Sequence, residues 1–201
     1  MLGMPLIRPW RAVGRCGVHH GAVAAPLEIM VPDPCLVLLV GAAGSGKSTF
    51  ASRHFNPAEV LSSDAFRERV SGNPADQAAT RPAFAALHRE LALRLRHGAL
   101  TVVDATNVAS HARRELLRRA TRAGIPTVAI VLDLPDPVVL ARNEARDRVV
   151  PADAVRRQLA DLRRSLRPGG LDAEGFASIV RLVSSEEVER TRMVRTRGPW
   201  G

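Results

Sequence analysis

The chain has 201 residues, 46% of them hydrophobic and 24% charged, and carries a formal net charge of +9 with a sequence pI near 11.3. That length suits one domain with one substantial core, no apolar run reaches membrane-spanning length, and the positive charge favours an anionic partner, whether nucleotide, polynucleotide or membrane surface. Cys16 and Cys35 make neither a disulfide framework nor a metal-ligand spacing and the six histidines are scattered, so a cytoplasmic setting is expected and a metal cluster of protein ligands is not.

In chain order, the first 26 residues hold no serine and no uninterrupted apolar stretch, so residues 1–30 read as a flexible extension rather than a signal or transit peptide. One domain is expected over 31–190, followed by an Arg-rich tail over 191–201. Leu36 to Val40 is a continuous apolar strand. It runs into Gly41, Ala42, Ala43, Gly44, Ser45, Gly46, Lys47, Ser48 and Thr49, which have the spacing G-x-x-x-x-G-K-[ST]. In this loop, backbone N–H groups cradle phosphates, the lysine reaches the β and γ oxygens, and the hydroxyl binds Mg²⁺. Lys47 is the one lysine among 29 basic residues. An arginine-biased chain that keeps an ammonium here needs a compact point charge on a flexible stem. A nucleoside triphosphate, ATP with Mg²⁺, is the expected ligand.

A helix from Lys47 to about His54 and a short strand from Glu59 to Ser62 follow. Asp64 then stands at the carboxyl edge of the sheet, where ligands bind in open α/β folds. It could accept a hydroxyl proton, or it or Ser63 could cap a helix from Ala65 to Val70. Arg67, three residues on, could hold an acceptor phosphate or pair with Asp64. Ser71 to Asp76 is a turn cluster. The next helix spans about Thr80 to His97 and ends at Gly98, with Phe84, Leu87, Leu91 and Leu95 at helical spacing.

Leu100 to Val103 is another buried strand. Asp104 at its end could reach Mg²⁺ or simply open a loop, and Asn107 could be a turn residue or a substrate contact. A helix from Ser110 to Ala123 precedes a strand from Pro126 to Leu132. Two arginine-rich helices, Asp136 to Asp147 and Ala152 to Leu166, are separated by Pro151. The first puts Arg142 and Arg146 on one face with Arg148 nearby. These guanidiniums could clamp a transferring phosphoryl group as a lid, or form a solvated face balanced by Glu144 and Asp147. A strand from Ser178 to Val183 and a short helix from Glu186 complete the pattern. The fold expected is α/β, a P-loop NTPase with a mostly parallel sheet flanked by helices and a helical lid.

Four segments also carry a family resemblance. Val37 to Phe50, Leu61 to Arg67, Thr101 to Asn107 and Arg142 to Arg146, in that order, resemble the kinase module of bacterial polynucleotide kinase-phosphatases. The similarity runs from about Cys35 to Glu189. It implies transfer of the ATP γ-phosphate to the 5′-hydroxyl end of RNA or DNA. By the same resemblance, Lys47 and Ser48 would serve the phosphates and Mg²⁺, Asp64 would be the general base, and Arg67 would grip the acceptor's phosphate. Arg142 and Arg146 would be lid arginines on ATP, and Gln77 would be an active-site contact. Related P-loop kinases phosphorylate sugars, adenylylsulfate or antibiotics. A small-molecule kinase therefore stays open as an alternative, as does an ATP-binding regulatory module without transfer.

Overall fold

The structure is a computed structural model that describes residues 25–73 and 78–197. Its strands are β1 (Leu27–Asp33), β2 (Leu36–Val40), β3 (Val60–Ser62), β4 (Thr101–Asp104), β5 (Thr127–Leu132), β6 (Ser178–Leu182) and β7 (Thr191–Arg197). Its helices are α1 (Lys47–His54), α2 (Ser63–Ser71), α3 (Thr80–Arg96), α4 (Ser110–Arg122), α5 (Asp136–Glu144), α6 (Ala152–Ser165) and α7 (Ser185–Arg190). Five strands form a parallel sheet in the order β3-β4-β2-β5-β6. The chain leaves β2 for one side of the sheet and later crosses to the other, so the carboxyl end of β2 is the topological switch point.

Every residue of β2 and of β5 is buried, as a parallel strand covered on both faces requires. Alternate residues of β2 feed two cores. Leu36, Leu38 and Val40 pack with Leu87 and Leu91 of α3, Leu116 of α4 and Leu162 of α6. Val37 and Leu39 face the other way, toward Phe50 of α1, Phe55, and Ile29 and Val31 of β1. These two layers clamp β2 in place, and with it the loop that β2 launches. Among the described residues, no helix is long and apolar enough to cross a membrane.

Two helices differ from the sequence expectation. Helix α2 begins at Ser63, two residues early, and its N-cap is Ser62, whose hydroxyl accepts from Ala65 N at 3.5 Å. Asp64 is therefore inside the first turn and does not cap it. Helix α5 stops at Glu144, leaving Arg146 in the turn beyond it rather than on a helical face. Residues 27–33 and 191–197 are the strands β1 and β7. They pair in parallel along their whole length as a separate two-stranded sheet.

Candidate active site

The glycine loop leaves β2 in a tight path that its sequence dictates. A side chain at Gly41 would place Cβ 2.6 Å from Ser45 Oγ and 2.9 Å from Leu132 O. Gly44 and Gly46 sit at φ +86° and +91°, in the left-handed region open to glycine. Gly46 opens α1, which has no side-chain cap and no acid in its first turn, so its leading N–H groups and helix dipole face the cleft.

Lys47 is 8% exposed, its Nζ donating to Ala42 O at 2.7 Å and to Ser45 Oγ at 3.4 Å. Burial pushes the ammonium down to about 8. Asp104 and Asp64 oppose that shift, while Arg146 adds to it. These charges act on Lys47 together, so β2, β4, α2 and the turn after α5 converge on one site. Ser48 Oγ donates to Asp104 Oδ2 at 2.7 Å. Thr49 is exposed at the same mouth. A cleft of about 500 Å³ opens over the loop, lined by Arg142 and Arg146 and by Phe50, His54 and Val188.

Asp64 is half-exposed and ion-paired to Arg67 through Oδ1, with Arg148 Nη1 3.4 Å from Oδ2. Asn107 sits in the turn that follows β4. It is 4% exposed at φ +48°, and its amide donates to Leu39 O (2.8 Å) and Val103 O (3.4 Å), which ties the edge of β4 to β2. Gln77 lies outside the described residues.

Residues 36–168 match the family described as AAA domain. The chain belongs to that family. Among curated proteins, none matches this AAA domain. Solved structures share its α/β fold. One is a chain of the Pnkp1/Rnl/Hen1 RNA repair complex, at 22% identity and TM-score 0.56, with 67% of this chain covering 45% of that one. This AAA domain thus spans less than half of that relative. Another is a putative kinase from Chloroflexus aurantiacus, at 19% identity and TM-score 0.52, with coverage of 76% and 86%. A third is a gluconokinase from Sinorhizobium meliloti, at 20% identity and TM-score 0.50, with coverage of 80% and 90%. The fold is that of P-loop kinases.

Sequence reasoning missed three residues that shape the site of this AAA domain. Gln158 of α6 reaches the glycine loop, its Oε1 accepting from Ala43 N at 2.8 Å. Arg113 of α4 is fully buried. It donates to Asn107 O and Val108 O, both at 2.7 Å, to Ser165 Oγ at 3.0 Å, and through Nε to Glu174 Oε2 at 2.7 Å. Asn143 closes the turn after α5. No spacing marks these residues, because an arginine-rich amphipathic helix offers many equivalent polar positions.

Proposed function

We propose that this AAA domain is an ATP- and Mg²⁺-dependent kinase that transfers the γ-phosphoryl group to the 5′-hydroxyl end of RNA or DNA. The observation that carries this reading is the opposition, in one site, of a buried lysine in a phosphate-cradling loop and a carboxylate flanked by guanidiniums. The polynucleotide acceptor is supported by the four-segment resemblance, by the likeness in fold to a chain of an RNA repair complex, and by the charge of +9.

The loop fits a polyphosphate. The uncapped start of α1 offers N–H donors, and a Cβ at Gly46 would meet nothing nearer than Arg142 Nη1 at 3.7 Å, so the backbone is open to a ligand. Ser48 and Asp104 form a hydroxyl and carboxylate pair suited to a hard cation that keeps most of its water. Mg²⁺ held there would neutralise phosphate charge.

Asp64 takes the proton of the acceptor hydroxyl as that oxygen forms its bond to phosphorus. The bond from phosphorus to the bridging oxygen breaks, and ADP departs with the electron pair. Lys47 holds charge on the donor side, and its burial in a water-poor setting strengthens that interaction. Arg142 and Arg146 close over the transferring group from the lid. Arg67 offers its guanidinium to the acceptor's phosphate beside the base it already flanks.

Purified protein incubated with Mg²⁺, γ-labelled ATP and a mixture of 5′-hydroxyl oligonucleotides and small polyols tests the reading. Label is expected on the oligonucleotides, falling by about a hundredfold or more in Lys47→Ala and Asp64→Ala. Label on a polyol alone would make this a small-molecule kinase. Nucleotide binding without transfer would make it a regulatory module.

A further inference from the structure

The α5–α6 segment carries three arginines that reach three different parts of the site. Arg142 donates to Ser185 Oγ at 2.9 Å, both residues lining the cleft over the loop. Arg146 bears on the donor side, where its charge disfavours the Lys47 ammonium. Arg148 turns to the acceptor side, 3.4 Å from Asp64 Oδ2, while Arg67 holds Oδ1 of the same carboxylate. Glu144 and Asp147, the local acids, make no ion pair with these arginines among the described residues.

The loop that carries Arg146 and Arg148 is pinned at its base. Asn143, 1% exposed, closes it by donating to Val150 O (2.7 Å) and accepting from Val150 N (3.1 Å). Asn143 also packs on the phosphate loop, so close that a Cβ on Gly44 would lie 3.0 Å from Asn143 Cβ. The loop is thus hinged on the donor side at Asn143 and clasped to α2 at Arg148. Arg67 alone would leave the carboxylate free to rotate about its terminal bond. A second guanidinium on the other oxygen fixes its plane.

We infer that Arg148 is a positioning residue that makes the orientation of Asp64 and the placement of the lid loop a single equilibrium. The inference rests on the kinase reading above and assigns a residue that the family resemblance leaves without a role. A part-exposed pair adds little to folding, so its effect belongs in catalysis and loop order.

The test compares Arg148→Gln, Arg148→Lys, Asp64→Asn and the Arg148→Gln/Asp64→Asn double variant in the full chain. Arg148→Gln is expected to lower kcat for acceptor phosphorylation about tenfold, with the affinity for a fluorescent ATP analogue within about twofold of wild type. Arg148→Lys recovers part of the loss, because an ammonium restores the charge but not the planar fork. Amide hydrogen exchange over 144–150 is expected to quicken alike in Arg148→Gln and Asp64→Asn, and no further in the double variant. An unchanged kcat, a nucleotide affinity that falls with kcat, or loop exchange indifferent to Asp64→Asn would each overturn the inference. The exchange arm needs no acceptor, so oligonucleotides that stay unlabelled would overturn the acceptor assignment while the clasp is still judged by exchange.

Discussion

Gly44 and Gly46 stand two residues apart at nearly the same φ, yet a methyl group would meet a different fate at each. At Gly44 the new Cβ would lie 2.4 Å from Val139 O, a backbone atom of α5 that moves only if the helix moves. At Gly46 there is room, and the loss is backbone strain at the mouth of the phosphate cradle. Gly44→Ala is therefore expected to destabilise the fold by about 2 kcal/mol or more, and Gly46→Ala by only about 1 kcal/mol while weakening nucleotide binding. Urea melts and equilibrium ATP binding on both variants check the split, and equal stability losses would refute it. Lys47 was legible in the sequence because the phosphate loop has a fixed spacing. The amide of Asn107 was not, because hydrogen bonds to Leu39 O and Val103 O depend on strands that only the tertiary fold makes adjacent.

At the scale of elements, Arg113 joins α4, the end of α6 and the loop that follows Asp104 into one polar hub. A guanidinium with no exposure needs its carboxylate partner, and Glu174 is itself nearly buried. Glu174→Ala leaves a buried charge uncompensated and is expected to cost about 3–5 kcal/mol in a urea melt, against about 1 kcal/mol or less for an exposed pair such as Arg156–Asp153. Helices α1 and α3 carry a different liability. Burial, with Arg53 behind it, holds His54 below its ordinary value of 6.5, and burial with Arg119 does the same for His88. Both imidazoles protonate more readily in the unfolded chain, so the stability they contribute is complete above pH 6.5 and is lost as the pH falls below it. Replacing His54 by Phe, in contact with Phe50, is expected to flatten the acid limb of a plot of unfolding free energy against pH; an unaltered limb would show that His54 does not titrate on unfolding. The helices themselves were legible because Leu87, Leu91 and Leu95 repeat at the helical period and Gly98 stops the run. The true end of α5 was not, since Arg146 continues the pattern of charge while the chain turns away.

Taken whole, the molecule adds a small parallel sheet to the five-stranded one, and this sheet bears on the cleft over the glycine loop. Its strands β1 and β7 lie some 160 residues apart in sequence, and β7 mixes Arg192, Arg195 and Arg197 with Met193, Val194 and threonines in no strict alternation, so no local pattern predicts the pairing. Ile29 and Val31 of β1 are buried against Phe50 and Phe55, with Met193 of β7 packed on the same cluster. Arg195 reaches Glu59 through two hydrogen bonds of 2.8 Å each. Helix α7, which supplies Val188 to the cleft and Ser185 to Arg142, is tethered by β6 before it and by β7 after it. Removing residues 191–201 would expose Ile29 and Val31, a loss of roughly 3–6 kcal/mol as an upper bound from side-chain burial. It would also free the distal end of α7. The truncated chain is therefore expected to melt earlier and to show a KM for ATP raised more than its kcat is lowered. Arg195→Ala, which removes only part-exposed ion pairs, is expected to change stability by about 1 kcal/mol or less and to leave the KM for ATP in place. A truncated chain that loses stability yet keeps its KM for ATP would mean that β6 alone holds α7 against the cleft.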